Sequence, residues 1–404
     1  MPNKTLEKWE EKTIKQLSIL ICDGDWIESK NQSQSGIRLI QTGNVGNGFY
    51  KDKPENSRYI SEETFKKLNC TEIFSGDCLV SRLPEPLGRA CLIPNKNERM
   101  ITAVDCSIIR FNDKNIIPKY FIYYSMSNNY HNKIINLSTG ATRQRISRKN
   151  LETITIPTPN LKEQQRIVKI LDEAFENIEK AKQNALQNLN NAKELFESYL
   201  TSILINKDNW DKKKLSDVAI DFGRGRSRHR PRNDKKLYGG QYPFIQTGDI
   251  RNSNHLITEY SQTYNEIGLA QSKLWPKGTL CITIAANIAE TGVLTFDACF
   301  PDSVIGCVFD ETKTNIDYVE YLLQSFKTIL QAEGKGSAQD NINLGTFEKY
   351  SFPFPDKIKQ DEIVDKLNCM RTNIAKLEQI YEQKIKDLDE LKQSILQKAF
   401  NGEL

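Results

Sequence analysis

Long apolar runs are missing. No stretch approaches the ~20 consecutive apolar residues that cross a bilayer, and the opening MPNKTLEKWEEKTIKQL has no apolar core of the kind a secretory signal needs. Both absences lead to the expectation of a cytoplasmic protein with no membrane contact. Histidine is scarce: His131, His229 and His255 are the only three, and they are scattered. No transition-metal site and no catalytic triad can be read from them. The nine cysteines form no CxxC pair and are odd in number. Contexts such as GDCLVS and TLCITI suit buried reduced thiols better than bridges or ligands. There is no GxxxxGK[ST] phosphate loop, no NPPY-type adenine-methylation motif and no glycine-rich cofactor loop after a strand. Pro301-Asp302, followed by Glu311-Thr312-Lys313, has the spacing of a metal-dependent nuclease signature. It is short and degenerate, and its lysine lies in the polar turn DETKTN, so a surface turn is the plainer reading. Paired carboxylates at Asp361-Glu362 and Asp389-Glu390 fit solvated helix faces.

What is present is ordinary soluble composition, 38% hydrophobic and 27% charged over 404 residues, enough for two to four domains. It is arranged as a repeat. Trp9 and Trp210 open WEEKTIKQL and WDKKKLSDV. LIQTGNV at 39–45 returns as FIQTGDI at 244–250, and GDCLVS at 76–81 resembles GTLCIT at 278–283. Further on, Gly140, Ile146, Pro157, Pro159, Gln164, Ile167, Val168 and Leu171 match Gly336, Ile342, Pro353, Pro355, Gln360, Ile363, Val364 and Leu367, all at one offset of 196. Earlier in each half the offset drifts. Each half therefore has a variable front and a constant back.

The constant backs read as long helices. Leu171, Ile178, Ala185, Ala192 and Tyr199 recur every seven residues, as do Leu367, Ile374, Tyr381, Leu388 and Ile395. Phe175, Leu189, Phe196 and Ile203 add a second row in the first run; Met370, Leu377 and Leu391 do so in the second. Sustained heptads with charged flanks argue for a coiled coil. A Pro-x-Pro pair precedes each run, and no proline or glycine interrupts 161–204 or 357–400. Single amphipathic rods of this length are unstable alone, so the two are expected to pair. Antiparallel pairing is favoured, because a globular region lies between them. Leu171, Ile178, Leu189 and Phe196, with Leu367, Ile374, Tyr381, Leu388 and Ile395, are the expected packing residues.

The fronts, about 1–160 and 206–356, read as mixed α/β regions. Apolar, β-branched runs such as MITAVDCSIIRF and TLCITIAA suggest strands, and DYVEYLLQSFKTILQ a helix. The first region has 23 Lys and Arg against 17 Asp and Glu; the second has 18 against 19. Yet the second contains FGRGRSRHRPR, with Arg224, Arg226, Arg228, Arg230 and Arg232 at alternate positions. In an extended segment they would project to one side, as a row for phosphates; a solvated loop is the alternative. STGATRQRISRKN holds another basic cluster, with Arg143, Gln144 and Arg145 beside hydroxyls and a glycine. The matching GKGSAQDNIN offers Lys335, Gln339 and Asn341. Backbone N–H groups at such turns bind phosphate, Gln and Asn suit adenine edges, and Arg suits guanine. For base contact, a plain polar turn weighs equally. Arg82 and Arg89, on either side of the PEPLG turn, are further DNA-facing candidates. In the IQTG pair, Gln41, Thr42, Gln246 and Thr247 are placed to meet a base or phosphate, with glycine expected for a tight turn. Asn44 against Asp249, and Gly46 against Arg251, are expected to let the two halves read different DNA.

The pattern as a whole, with PTPNLKEQQRIVKIL and the closing LKQSILQKAFNGEL, strongly resembles the DNA-specificity subunit family of type I restriction-modification enzymes. The resemblance covers essentially the whole chain. It implies an α+β fold: two target-recognition domains in tandem (1–160 and 206–356), separated by long helices (161–205 and 357–404) that form an antiparallel coiled coil with a pseudo-twofold internal repeat. It also implies that each domain reads one half of a split double-stranded DNA target. The helix pair then sets the spacer and docks two methyltransferase subunits, and restriction subunits complete the complex. No cofactor is expected in this chain; S-adenosylmethionine, ATP and Mg would sit on the partners, and the chain itself would be non-catalytic. A related methyltransferase–nuclease system, a coiled-coil scaffold without base readout and an autonomous nuclease remain alternatives at this point.

Overall fold

In the computed structural model, residues 9–140, 144–205, 209–253, 255–285, 288–335 and 342–404 are described, with 333–335 by backbone alone. The chain divides into two compact units. One comprises Met1–Leu186 with Glu382–Leu404, the other Gln187–Tyr381. Each unit therefore joins a globular region to one end of both long helices.

Those helices run Leu161–Leu204 and Lys357–Asn401, 44 and 45 residues, or ~65 Å each at ~1.5 Å per residue. In the first unit Lys182 pairs with Asp389 at 2.8 Å, and Lys392 lies 4.6 Å from the Phe175 ring centre. In the second, Lys193 meets Glu378 at 4.0 Å and Arg371 lies 5.9 Å from the Phe196 ring. In both units a higher number on one helix meets a lower one on the other, which is antiparallel pairing. Leu171, Ile178, Ala185, Ala192, Leu367 and Ile374 are buried. Leu189, Phe196, Tyr381, Leu388 and Ile395 are half-buried, while Leu377 and Leu391 are exposed, so the second apolar row is not a continuous seam. Leu171 and Leu367 lie in clusters that also hold globular residues. The helix ends are thus part of the globular cores.

Each Pro-x-Pro stretch is more than a lead into a helix. Thr155–Thr158 pairs antiparallel with Glu10–Thr13, and Phe352–Phe354 pairs with Asp211–Lys213. These are two-stranded sheets, where a proline without a donor is tolerated. The proline carbonyls are taken up identically. Tyr120 Oη donates to Pro157 O at 2.8 Å, and Tyr318 Oη to Pro353 O at 2.7 Å. Buried Gln164 donates to Pro159 O and accepts from Ile117 N–H; buried Gln360 donates to Pro355 O and accepts from Asn315 N–H. The matched tyrosine and glutamine of the repeat are therefore staples, which satisfy backbone groups that burial would otherwise leave unpaired.

The first unit has a sheet ordered Ser18–Asp23, Cys106–Phe111, Cys78–Ser81, Ala90–Leu92, and a second ordered Arg58–Ile60, Ile37–Ile40, Met100–Thr102, Glu72–Ile73. The second unit repeats the first of these with Ala219–Arg224, Val304–Phe309, Leu280–Thr283 and Thr291–Leu294, and adds Leu256–Ile257. The central strand separates two cores by simple alternation. Cys78 and Val80 enter the core that holds the helix ends, whereas Leu79 enters one with Ile40 and Val45. Likewise Leu280 and Ile282 face the helix-end core, and Cys281 faces one with Ile245 and Ile250. Each IQTG stretch thus lies across the sheet from the helices. Seven cysteines are buried, Cys22 is half-buried and Cys369 is exposed, all as free thiols. Among the described residues no helix is long and apolar enough to cross a membrane.

Candidate nucleic-acid interface

In the first unit the strand Ile37–Ile40 leads to Gln41, which caps a single helical turn, Thr42–Asn44. Gln41 N–H donates to Asn44 Oδ1 at 3.0 Å, and Asn44 Nδ2 donates to Lys51 O at 3.0 Å. In the second unit Gln246 caps the helix Thr247–Asn252, and Gln246 N–H donates to Asp249 Oδ2 at 2.8 Å. Asn44 and Asp249 therefore do the same job, holding the turn shut through a cap. The expectation that this pair lets the two halves read different DNA gains a structural alternative: both side chains bond to their own backbone. The role given to the glycine changes too. Neither Gly43 nor Gly248 has a positive φ, and a Cβ on Gly248 would meet nothing within 4 Å.

The expectation that Arg89 and Arg82 face DNA is corrected. Arg89 is only 8% exposed. Its guanidinium donates to Val45 O at 2.7 Å, Thr42 O at 2.8 Å, Leu83 O at 2.9 Å and Pro86 O at 3.1 Å. It clamps the IQTG turn to the PEPLG turn from inside. Arg82, 5% exposed, donates to Val104 O and pairs with Asp23 at 3.2 Å. Burial lowers the pKa of both from the ordinary arginine value. Neither side chain is left facing solvent. Gln144 and Arg145 are exposed, with Arg145 pairing to Asp105 at 2.8 Å. Arg143, Gln339 and Asn341, and the side chain of Lys335, lie outside the described residues.

The arginine segment leaves the strand Ala219–Arg224 as an irregular loop. Its alternation survives: Arg224, Arg226, Arg228, Arg230 and Arg232 are exposed, while Gly225 and Ser227 are buried between them. Gly225 is required for contact, because a Cβ there would lie 2.2 Å from Phe300 O. The arginines are not equivalent, however. Arg232 pairs with Asp302 at 2.7 Å, Arg224 Nε donates to Asp302 O at 2.7 Å and Arg230 comes within 3.9 Å of the Asp302 carboxylate. Asp302 is thus an anchor for the loop. Among the described residues Arg226 and Arg228 form no ion pair, and they remain the outward cations of the row. Among the described residues no group of three or more His, Cys, Asp or Glu is placed to hold a metal.

These pieces meet in the second unit. A cleft of about 650 Å³ is lined by Ser227, Arg232 and Lys235 from the arginine side, Gln246 and Thr247 from IQTG, and Gln262. Gln262 was invisible as a site residue in the sequence: it stands in SQTYNE with no charge and no repeat partner to mark it. Arg251 is exposed and lines a different cleft, of about 370 Å³, with His255 and Arg371.

The family model for the type I restriction modification DNA specificity domain matches this chain twice, over residues 6–188 and 207–386. The chain belongs to that family. Both copies span a globular region and the start of the helix that follows it, so the tandem repeat is a repeat of the family domain. The chain is 20% identical over 413 residues to a Methanocaldococcus jannaschii protein provisionally named the type I restriction enzyme MjaX specificity subunit, with 98% of this chain and 94% of that protein covered. It is 24% identical over 321 residues to the type I restriction enzyme StySPI specificity subunit of Salmonella potsdam, covering 72% and 66%. Its fold is similar over 100% of both chains to one from a study of complex assembly and conformational transition of the type I R-M system, with a TM-score of 0.78 at 18% identity. The HsdS subunit of Thermoanaerobacter tengcongensis has a TM-score of 0.62 at 18% identity, over 100% of this chain and 99% of that one.

Proposed function

We propose that this chain is the sequence-specific DNA-recognition subunit of a type I restriction-modification complex. Each globular region reads one half of a bipartite double-stranded target, and the antiparallel helices set the spacer. The observation that carries this reading is the duplicated head. Both units present the same capped IQTG turn on the sheet face opposite the helices, and each unit holds part of both long helices. Such a tandem repeat behaves like a pseudo-symmetric dimer on DNA, whose half-sites lie about one turn, ~34 Å, or a multiple of it apart. Two copies of a methyltransferase subunit dock on the repeated helices. The apolar side chains left exposed there, Leu186, Leu195, Leu377, Ile380 and Leu391, support that docking. S-adenosylmethionine, ATP and Mg act on the methyltransferase and restriction partners, and this chain contributes binding rather than chemistry, in the cytoplasm.

The test is the methylome. Cells carrying this chain with its methyltransferase should place N6-methyladenine in one bipartite motif, and cells without it should not. A methylation pattern indifferent to this chain would contradict the proposal.

A further inference from the structure

Among the described residues, the second head holds an amide pair that the first does not form. Gln246 Nε2 donates to Gln262 Oε1 at 2.9 Å. Both residues are exposed and line the 650 Å³ cleft. Their positions are fixed from beneath. Gln246 is the cap whose own N–H is tied to Asp249. Gln262 begins the strand Gln262–Tyr264, directly across from Phe244 in the strand Tyr238–Phe244. This strand pair is stiffened by the Phe244 and Tyr264 rings, stacked at 4.1 Å between centres. In the first unit Gln41 is half-buried, and among the described residues it forms no such pair.

From this placement we infer that Gln246 is a specificity-determining residue that reads one adenine of the second half-site, and that Gln262 is the positioning residue that orients its amide. A free glutamine amide on a surface rotates, and must be ordered before it can discriminate bases. Here one N–H of Gln246 is held by Gln262. One N–H and the carbonyl oxygen remain. These are the donor and acceptor that adenine N7 and N6–H₂ take in the major groove. Lys235 lines the same cleft as a cation for a flanking phosphate. Thymine, cytosine and guanine each mismatch this donor–acceptor pair in at least one position.

The inference rests on the proposed function, and its test separates the two. The full complex is expressed with Gln246→Ala, Gln262→Leu and Gln262→Glu, and the N6-methyladenine motif is read from the genome. Duplex competition is then measured with the base replaced. Gln246→Ala should relax one adenine position of the second half-site, with discrimination falling roughly 10-fold to 100-fold. Gln262→Leu should relax the same position by several-fold, and Gln262→Glu, which keeps the acceptor oxygen, should restore it. The first half-site and the spacer should be unchanged throughout. A second half-site as strictly read in Gln246→Ala and Gln262→Leu as in the natural chain would overturn the inference. So would equal relaxation in Gln262→Glu and Gln262→Leu, loss of both half-sites together, or relaxation at a position other than adenine. Absence of any bipartite motif with the natural chain would instead strike the proposed function itself.

Discussion

The two units share a frame and differ in how they brace it. The strand after the central one is entered by Arg89 in the first unit and by Glu290 in the second. Their backbones are equivalent, for Ser81 N–H donates to Arg89 O and Thr283 N–H to Glu290 O, both at 2.9 Å. Their side chains are opposites. Arg89 turns inward and clamps four carbonyls, including two of the IQTG turn, whereas Glu290 turns to Lys327 at 2.8 Å near the surface. A second exchange lies on the helices Pro118–Ser125 and Ile316–Lys335. Two residues after the stapling tyrosine stands buried Ile122 in one and fully buried Glu320 in the other, bonded to His255. Duplication thus preserved what attaches each head to the helices, while the residues around each IQTG turn diverged, including in charge.

The sharpest test of the shared frame lies at the helix ends. Phe400 packs edge-on against Tyr120 and Tyr124 in the first core, and Leu204 fills the second. Phe400→Ala should cost about 3–5 kcal/mol and Leu204→Ala about 2–5 kcal/mol. In hydrogen exchange, each should loosen its own unit first. Next comes the contrast in bracing. Arg89→Met leaves buried carbonyls without donors and should cost about 3 kcal/mol, with recognition of the first half-site lost. Glu290→Gln should cost under about 1 kcal/mol, because its pair with Lys327 is partly exposed. Comparable costs in denaturant titrations would erase that distinction. The staples come third: Gln164→Leu and Gln360→Leu should each cost about 2 kcal/mol, Gln164→Leu somewhat more, since its amide also donates to Asn115 O at 3.1 Å. The smallest effect is at the caps. Asn44→Ala and Asp249→Ala should each cost about 1 kcal/mol. The exchanges Asn44→Asp and Asp249→Asn should leave both half-sites unchanged; a changed motif would return these residues to base reading.

The sequence carried the frame openly. Heptads, matched prolines and a constant offset of 196 follow from geometry that repeats whenever the same helices must pair. It carried the reading surface poorly, because one residue type serves two physical ends. Asn44 and Asp249 have the chemistry of a base contact and also of a cap, and only their backbone partners decide. Arg89 has the charge of a phosphate contact, yet it sits behind the turn. Gln262 matters only because an antiparallel strand pair, formed across an intervening helix and strand, brings it to Gln246, a pairing without a local signature. The arginine row shows both sides: its alternation was readable, but the anchoring of Arg224 and Arg232 by Asp302, some 70 residues away, was not.

The central claim is that two separable heads read two halves of one target from a common frame. Replacing residues 206–356 by residues 10–160, with both long helices intact, tests it most directly when the host genome is sequenced for N6-methyladenine. The account predicts a motif made of two copies of the first half-site, with the natural spacer retained. Retention of the original asymmetric motif, or a correctly folded and assembled complex that methylates without a motif, would contradict it.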